Sequence, residues 1–451
     1  MKKILAYFTL VCWVGLMSSC SQGDYLNAIP SNSVALVSMD MGKMKGINNQ
    51  TLLKALLHVS NVNTAGIDVS TPIYLFESSD GNLGLCAKVS SSSDLEKTLS
   101  RLASNGVCQA LKEHRDCQFT LLRNAWVVGF TDEAILMMGP VTPANYPSMR
   151  NQMARYLRQS EEKGILSSRL YEKLDSIDGA MKMVARVDAL PEKLVMPFTL
   201  GAPANTEPSQ IFVSARMNVV DQCLVIDGKT FSFNQRIKKA LKDATQTYRL
   251  IQGKYMFAMA KHHIAGLFVN VNGNEFIRLL NGNRGFQALL AGVNTAIDMD
   301  NIIKSVDGDM CVIMPSTTDN GFRMTMCAQL ANSQWLNDVS YWKQSCPRGS
   351  VIRDWGTNAY CFSDGKTSFY FGVSPDLQFY SGSNEDDARM ALNHSSAPVS
   401  QSWKQLMEGQ KMVMMMNLEA LTNHQESMGA VLQLLDPLFG KVHSVVYRLQ
   451  E

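Results

Sequence analysis

At 451 residues the chain is longer than one hydrophobic core can serve, so two or more folded units are expected. Its apolar share of 46% is that of an ordinary globular protein, and past the first twenty residues no apolar run reaches the ~18 residues of a membrane-spanning helix. The 42 basic residues nearly balance 40 acidic ones and form no basic tract, which excludes nucleic acid as a partner.

The first twenty residues are the most specific stretch. Lys2 and Lys3 precede an apolar run from Ile4 to Met17, the charged and hydrophobic regions of a secretory signal. The run is too short to span a bilayer, which takes roughly 20 residues. It ends in Met17-Ser18-Ser19-Cys20, which resembles a bacterial lipobox. Residues 1–19 are therefore expected to be a lipoprotein signal peptide, with Cys20 the acylated first residue of the mature chain. Several acyl chains on one residue anchor far more firmly than a single chain. Residues 20–29 read as a lipidated tether reaching at most ~35 Å. Loss of Lys2 and Lys3 leaves 40 basic residues against 40 acidic ones.

From there the chain reads as one module used twice. Residues 33–39 (SVALVSM) are the expected opening strand of the first half. Residues 74–89 (YLFESSDGNLGLCAKV) read as two strands about an Asp80-Gly81 turn. Ser93-Asp94-Leu95-Glu96 follows as a capping box, opening a helix that buries Leu95, Leu99 and Leu102 and stops at Asn105-Gly106. Strands at 125–130 and 134–138 come next, then helices carrying Met149, Met153 and Leu157 and Leu170, Leu174 and Ile177. A strand at 181–188 and a surface loop at 201–209 complete this half.

The pattern then recurs. Residues 254–261 (KYMFAMAK) are the expected second opening strand. Residues 311–330 read again as strand, Asp319-Asn320-Gly321 turn and strand, and a helix follows with Trp335, Leu336, Val339 and Trp342 on its apolar side. Cys86-Ala87 matches Cys327-Ala328 241 residues later, and Val128-Gly129-Phe130-Thr131 matches Phe371-Gly372-Val373-Ser374 243 residues later. Strands at 368–373, 377–380 and 411–417 close the series. The expected fold is α+β: two related modules of antiparallel sheet covered by helices, arising by internal duplication. The halves are residues 30–252 and 253–451, meeting at Gln252-Gly253.

Cys20, the following run Ile29-Pro30-Ser31-Asn32-Ser33-Val34-Ala35-Leu36-Val37-Ser38-Met39-Asp40, and a helical segment at 152–174 before a strand around Met183 together resemble a known family. It is the Bacteroidetes lipoprotein family catalogued as domain of unknown function number 4836. The resemblance implies a cell-envelope lipoprotein. It implies no activity and carries over no functional residue except Cys20.

Templates of chemistry are mostly unmet. Eight cysteines follow Cys20, and export permits disulfides. Free buried thiols are the favoured reading, above all for Cys86 and Cys327 in apolar strands; the candidate bridges are Cys108–Cys117 and Cys346–Cys361, each able to close a short loop. His262-His263 point to opposite faces if they lie on a strand, so one metal cannot easily take both. There is no His-Glu-x-x-His or Cys-x-x-Cys, and the methionines of Met412-Val413-Met414-Met415-Met416 suit a core strand better than copper(I). Asp227-Gly228-Lys229-Thr230 and Asp364-Gly365-Lys366-Thr367 lack the earlier glycine of a phosphate loop and read as hairpin turns. No Gly-x-Ser-x-Gly is present. Aromatic residues crowd the second half, and Trp335, Trp342 and Trp355 form the candidate binding patch, for a sugar ring or a protein partner.

The expected protein is thus a non-catalytic binding or scaffold protein of the cell envelope. It is lipid-anchored at Cys20 on the outer membrane or the periplasmic side, and its partner is an envelope protein or glycan. No cofactor and no metal is implied. The alternative is a periplasmic or surface enzyme acting on glycans or peptides through a site that matches no template.

Overall fold

A computed structural model describes residues 24–44, 64–190, 192–283, 286–287, 296–318, 321–395, 398–399, 401–422 and 442–450. The signal peptide, Cys20 and most of the Asp319-Asn320-Gly321 turn lie outside the described residues. The chain divides into two compact units, Met1–Lys43 with Leu53–Asp175 and Met44–Leu52 with Ser176–Glu451. The repeat seam expected at Gln252-Gly253 falls inside the second unit.

The first unit is built on a seven-stranded antiparallel sheet. Its strands are β1 (Ala35–Met39), β2 (Ile73–Glu77), β3 (Leu83–Lys88), β4 (Lys112–His114), β5 (Cys117–Leu122), β6 (Trp126–Phe130) and β7 (Ala134–Gly139). They lie in the order β1-β2-β3-β7-β6-β5-β4. The Asp80-Gly81 turn joins β2 to β3, with Gly81 at φ +80°, a conformation that glycine takes without strain. Helix α1 (Ser92–Ser104) buries Leu95, Leu99 and Leu102 as its spacing requires. Its cap is Ser91, whose side chain accepts from the Asp94 amide, so the helix opens two residues before the expected box. Helices α2 (Tyr146–Tyr156) and α3 (Arg169–Asp175) bury Met149 and Met153, and Leu170 and Leu174.

The second unit holds β8 (Met181–Arg186), β9 (Phe212–Val220), β10 (Cys223–Phe231), β11 (Tyr248–Arg249), β12 (Ala265–Asn272), β13 (Val306–Met314), β14 (Thr317–Thr318), β15 (Gly321–Phe322), β16 (Thr325–Leu330), β17 (Val351–Gly356), β18 (Ala359–Ser363), β19 (Ser368–Val373), β20 (Gln378–Gly382), β21 (Met412–Asn417) and β22 (Ser444–Leu449). Its sheet runs β8-β9-β10-β22-β21-β12-β13-β16-β20-β19-β18-β17. Every neighbour is antiparallel except the pair β10–β22. Among the described residues eight helices accompany it: α4 (Glu192–Thr199), α5 (Gln235–Thr245), α6 (Gly273–Asn281), α7 (Met299–Lys304), α8 (Val339–Ser345), α9 (Glu385–Met390), α10 (Gln401–Met407) and α11 (Leu418–Thr422).

The order β12-β13-β16-β20-β19-β18-β17 repeats that of the first unit strand for strand. The registers agree as well. Ser38 pairs with Tyr74, Tyr74 with Cys86, Cys86 with Leu136, and Leu136 with Gly129. The second series is Phe268, Cys311, Cys327, Tyr380 and Gly372. Cys86 and Cys327, and Gly129 and Gly372, therefore occupy the same places in two copies of one sheet. The fold is α+β and internally duplicated.

The second opening strand is not where the apolar run suggested. Residues 254–261 form a turn containing a 3-10 helix (Met256–Ala258), and the strand is β12. The counterpart of this turn is the 3-10 helix Asp24–Ala28, 230 residues earlier, with Tyr25 and Tyr255 both buried. After each turn the chain bends alike: the Ser33 amide donates to the Pro30 carbonyl and the His263 amide to that of Ala260, both at 3.1 Å. Methionine and phenylalanine make residues 254–261 look like a strand, but they serve to plug the core beside the sheet. The buried Asp309 carboxylate pins the approach to this turn, accepting from the amides of Gln252 (3.0 Å) and Lys254 (2.8 Å) and from Asn270 Nδ2 (2.8 Å).

Both faces of the central strands are covered. Met412 and Met414 of β21 pack in one core with Trp335, Phe371 and Tyr447, whereas Val413 and Met415 pack in the other with Tyr255, Phe268 and Cys311. The methionine run is a core strand with two buried faces.

Candidate functional site

The proposed tryptophan patch separates into two environments. Trp335 and Trp342 are buried and stacked, with ring centroids 6.1 Å apart and planes 7° from parallel. Trp335 also meets Phe371 and Phe379. These two indoles are core, placed on one side of the helical segment by their seven-residue spacing, and neither can serve as a binding surface. Trp355 is the exception. It stands on the opposite face of the sheet, half-buried, where β17 slips register between Asp354 and Gly356. A bulge leaves one residue unpaired and re-aims its side chain, and here that residue is Trp355.

Trp355 meets Tyr370 edge-on at 5.6 Å and Tyr380 at 6.3 Å, and its Nε1 donates to the Tyr360 carbonyl at 2.9 Å. Register brings the others alongside: Cys361 lies opposite Tyr370, and Tyr380 opposite Gly372. Gly372 is required here, because a Cβ at that position would lie 2.5 Å from the Tyr380 hydroxyl. Burial pushes up the Cys361 thiol and the Tyr380 phenol, and the hydrogen bond to Cys361 raises the Tyr370 phenol. All three therefore remain protonated and uncharged at neutral pH.

Two arginines flank this face, Arg353, which lies opposite Cys361 across β17 and β18, and Arg389. The Arg389 guanidinium sits 4.8 Å from the Trp355 ring centre and is held by Glu385, four residues earlier on α9, at 2.8 Å. Helix α9 is fixed at both levels. Asn384 caps it by accepting from the Asp387 amide at 2.8 Å, and buried Asp387 takes a two-point contact from Arg323, with Nε at 2.9 Å. Gly382 lets the helix approach, since a Cβ there would meet the Ala388 amide nitrogen at 2.4 Å. The result is an aromatic floor under the surface-held Arg389.

The same positions in the first unit look quite different. Leu121, Val127 and Leu136 stand where Cys361, Tyr370 and Tyr380 stand in the second, and all three are buried. The frame is shared while the face has changed from aliphatic core to half-exposed aromatic surface.

Other expected sites resolve as structure. All eight cysteines of the described residues are free. The pair Cys108–Cys117 is ruled out by register: Cys108 bridges to Leu122, five residues along β5 from Cys117, which is ~16 Å of strand against a disulfide limit near 7 Å. Cys108 Sγ instead donates to the Leu99 carbonyl at 3.4 Å. Cys346 ends α8 beside the core, while Cys361 is committed to the opposite, tyrosine-bearing face, so the pair Cys346–Cys361 does not form either. His262 and His263 lie in a turn, not on a strand, with rings 4.8 Å apart. Asp227-Gly228-Lys229-Thr230 is not a turn but the middle of β10, where Asp227 takes a two-point contact from Arg448 on β22 at 2.6 and 2.9 Å. Asp364-Gly365-Lys366-Thr367 is the expected hairpin turn, with Gly365 at φ +82°. Among the described residues no three His, Cys, Asp or Glu side chains are grouped to hold a metal, and no helix is long and apolar enough to cross a membrane.

Two solved crystal forms of TP0453 share a distant likeness. Form IV has a TM-score of 0.27 at 10% identity, over 46% of this chain and 79% of that one. Form III has a TM-score of 0.22 at 9% identity, over 81% and 96%. No curated protein matches the chain. A family model does match it, from residue 27 to residue 423, and the chain accordingly belongs to the family described as Domain of unknown function (DUF4836).

Proposed function

We propose that this is a lipoprotein held in the cell envelope through Cys20, with a non-catalytic binding role exercised by the face around Trp355. What carries the reading is the divergence between the two copies of the sheet: aliphatic Leu121, Val127 and Leu136 in one, Cys361, Tyr370 and Tyr380 with Trp355 in the other. Nothing in packing demands that change, because the first copy closes the same frame with buried aliphatic side chains. Flat aromatic faces beside an arginine suit an envelope glycan or a protein partner. The signal-like leader and the lipobox around Cys20 support the address.

The test is capture from membranes of the lipidated full chain, cross-linked in place, followed by identification of bound protein and sugar. Wild-type protein is expected to return a reproducible partner, and Trp355→Ala to lose it while its unfolding transition stays within ~1 kcal/mol, as for a half-exposed side chain. Equal recovery by the variant, or no partner for the wild type, would sink the binding reading. Cys20→Ala is expected to leave the membrane fraction; full retention there would refute the anchor.

A further inference from the structure

The two copies differ at one more pair of facing positions. Where β2 and β3 set Tyr74 against Cys86, β13 and β16 set Cys311 directly against Cys327. Residues facing each other across an antiparallel pair have Cα atoms about 4.5–5.5 Å apart, inside the 4.4–6.8 Å that a disulfide spans. Both side chains point into the same core, beside Tyr255 and Phe268, and each residue is 1% exposed. The thiols are within hydrogen-bonding reach of each other, and Cys327 Sγ also donates to the Ala391 carbonyl at 2.8 Å. They are free in the structure.

We propose that Cys311 and Cys327 are a disulfide site, closing across β13 and β16 when the chain meets a disulfide oxidant. The inference rests on the reading that the protein is exported, since thiols stay reduced in the cytosol. The chemistry is thiol–disulfide exchange. One cysteine thiolate attacks a sulfur of the oxidant, forming a mixed disulfide and expelling one thiolate. The second cysteine then attacks the first, forming the Cys311–Cys327 bond and releasing the other half of the oxidant. Two protein S–H groups are lost, the oxidant disulfide is reduced to two thiols, and those thiols carry both protons.

Timing follows from burial. Contact with Cys311 and burial hold the Cys327 thiol far above its usual range, so the folded protein keeps it protonated and unreactive. Closure therefore belongs to folding, while the edges of β13 and β16 are still open to the oxidant. Cys86 faces Tyr74 on one side and Leu136 on the other, so the first copy has no such bond to make.

The full chain, unfolded in reductant, should be refolded in a mixture of oxidised and reduced glutathione, then denatured in excess alkylating agent and weighed. Two of the eight thiols downstream of Cys20 are expected to escape alkylation, with digestion giving one linked peptide pair holding Cys311 and Cys327. Dithiothreitol should abolish the link, and Cys327→Ser should leave Cys311 alkylated. Eight alkylated thiols, or a link through any other pair, overturn the proposal; Cys311→Ser repeats the test should Cys327→Ser not fold. A second arm applies the same alkylation to protein taken from its own membranes. A bridge that forms on refolding yet is missing there counts against the exported address, leaving the pairing itself supported.

Discussion

His263 offers the sharpest quantitative handle on the fold. Its Nδ1 accepts a hydrogen bond from the Ala260 amide at 3.1 Å, a bond that exists only while the imidazole is neutral at that nitrogen. Burial, and secondarily the neighbouring His262 ring, push its pKa down to about 4. The unfolded chain takes up the same proton near pH 6.5. Above that pH neither state is protonated and His263 adds no pH dependence. Between about 6.5 and 4 the unfolded state binds the proton and the folded state resists it, so stability falls as pH falls; below about 4 the loss is complete. A separation of about 2.5 units sets a ceiling of roughly 3.4 kcal/mol. The ring is only half-buried, and solvent screening brings the expected loss to about 1–2 kcal/mol.

The assay is urea unfolding of the full chain at pH 7.5 and pH 4.5, comparing wild type with His263→Ser. Serine is the residue at the matching place in the first unit, where the Ser33 hydroxyl donates to the Pro30 carbonyl. The variant is expected to lose about 1 kcal/mol at pH 7.5, from one hydrogen bond, and to show a smaller drop on acidification by about 1–2 kcal/mol. Carboxylates elsewhere titrate equally in both proteins and cancel in the difference. Identical acid sensitivity in the two proteins would refute the assignment.

Gly382→Ala is expected to cost about 1–3 kcal/mol, because its Cβ would fall 2.4 Å from the Ala388 amide nitrogen and backbone must move. The same shift should carry Arg389 off Trp355, visible as a change in tryptophan emission; unchanged emission would contradict the described approach of α9. Asp227→Ala strands Arg448 between parallel β10 and β22, where the two side chains are 10% and 20% exposed. Partial exposure lowers the expected loss to about 2–3 kcal/mol from the 3–5 of a fully buried pair, and Arg448→Met in the same chain should restore part of it. A loss under ~0.5 kcal/mol for Asp227→Ala would show that the pair is screened like any surface contact.

Periodicity made the hairpins and helices of both units legible, since Leu95, Leu99, Leu102, Met149 and Met153 all bury where their spacing puts them. The repeat was legible through Cys86-Ala87 and Gly129, because small residues recur where a neighbouring ring crosses the strand. Phe119 lies over Gly129, as Tyr380 lies over Gly372. Apolar composition misled at residues 254–261, where a turn plugs the core with Met256 and Met259. At Trp335 and Trp342 helical spacing, which put both on the apolar side, was the better guide than the aromatic character that put them in the candidate patch. The site itself was only partly visible. Trp355 could be named, but its exposure depends on a one-residue register slip between β17 and β18, and no local pattern announces which residue a bulge ejects.

Duplication supplies its own control experiment. Along the row that runs from Ser38 to Gly129 in one copy and from Phe268 to Gly372 in the other the pairing is conserved, so a difference between matched residues there lies in what each side chain meets. At Pro30 and Ala260 the cause is local. Proline has no amide to donate, so Ser33 donates to its carbonyl, whereas Ala260 offers an N–H and His263 accepts it. At Tyr74–Cys86 and Cys311–Cys327 the cause is chemical, because only the second pair can form a bond. At Leu121, Val127 and Leu136 against Cys361, Tyr370 and Tyr380, neither explanation applies. Aliphatic residues already fill that place and satisfy every packing need in the first unit. Exchanging Val127 and Leu136 for Tyr370 and Tyr380, and Leu121 for Cys361, replaces fully buried aliphatic side chains by partly exposed ones that pack edge-on against Trp355. Aliphatic core turned into partly exposed aromatic surface, beside an ejected tryptophan, is what the proposed binding role requires of this face.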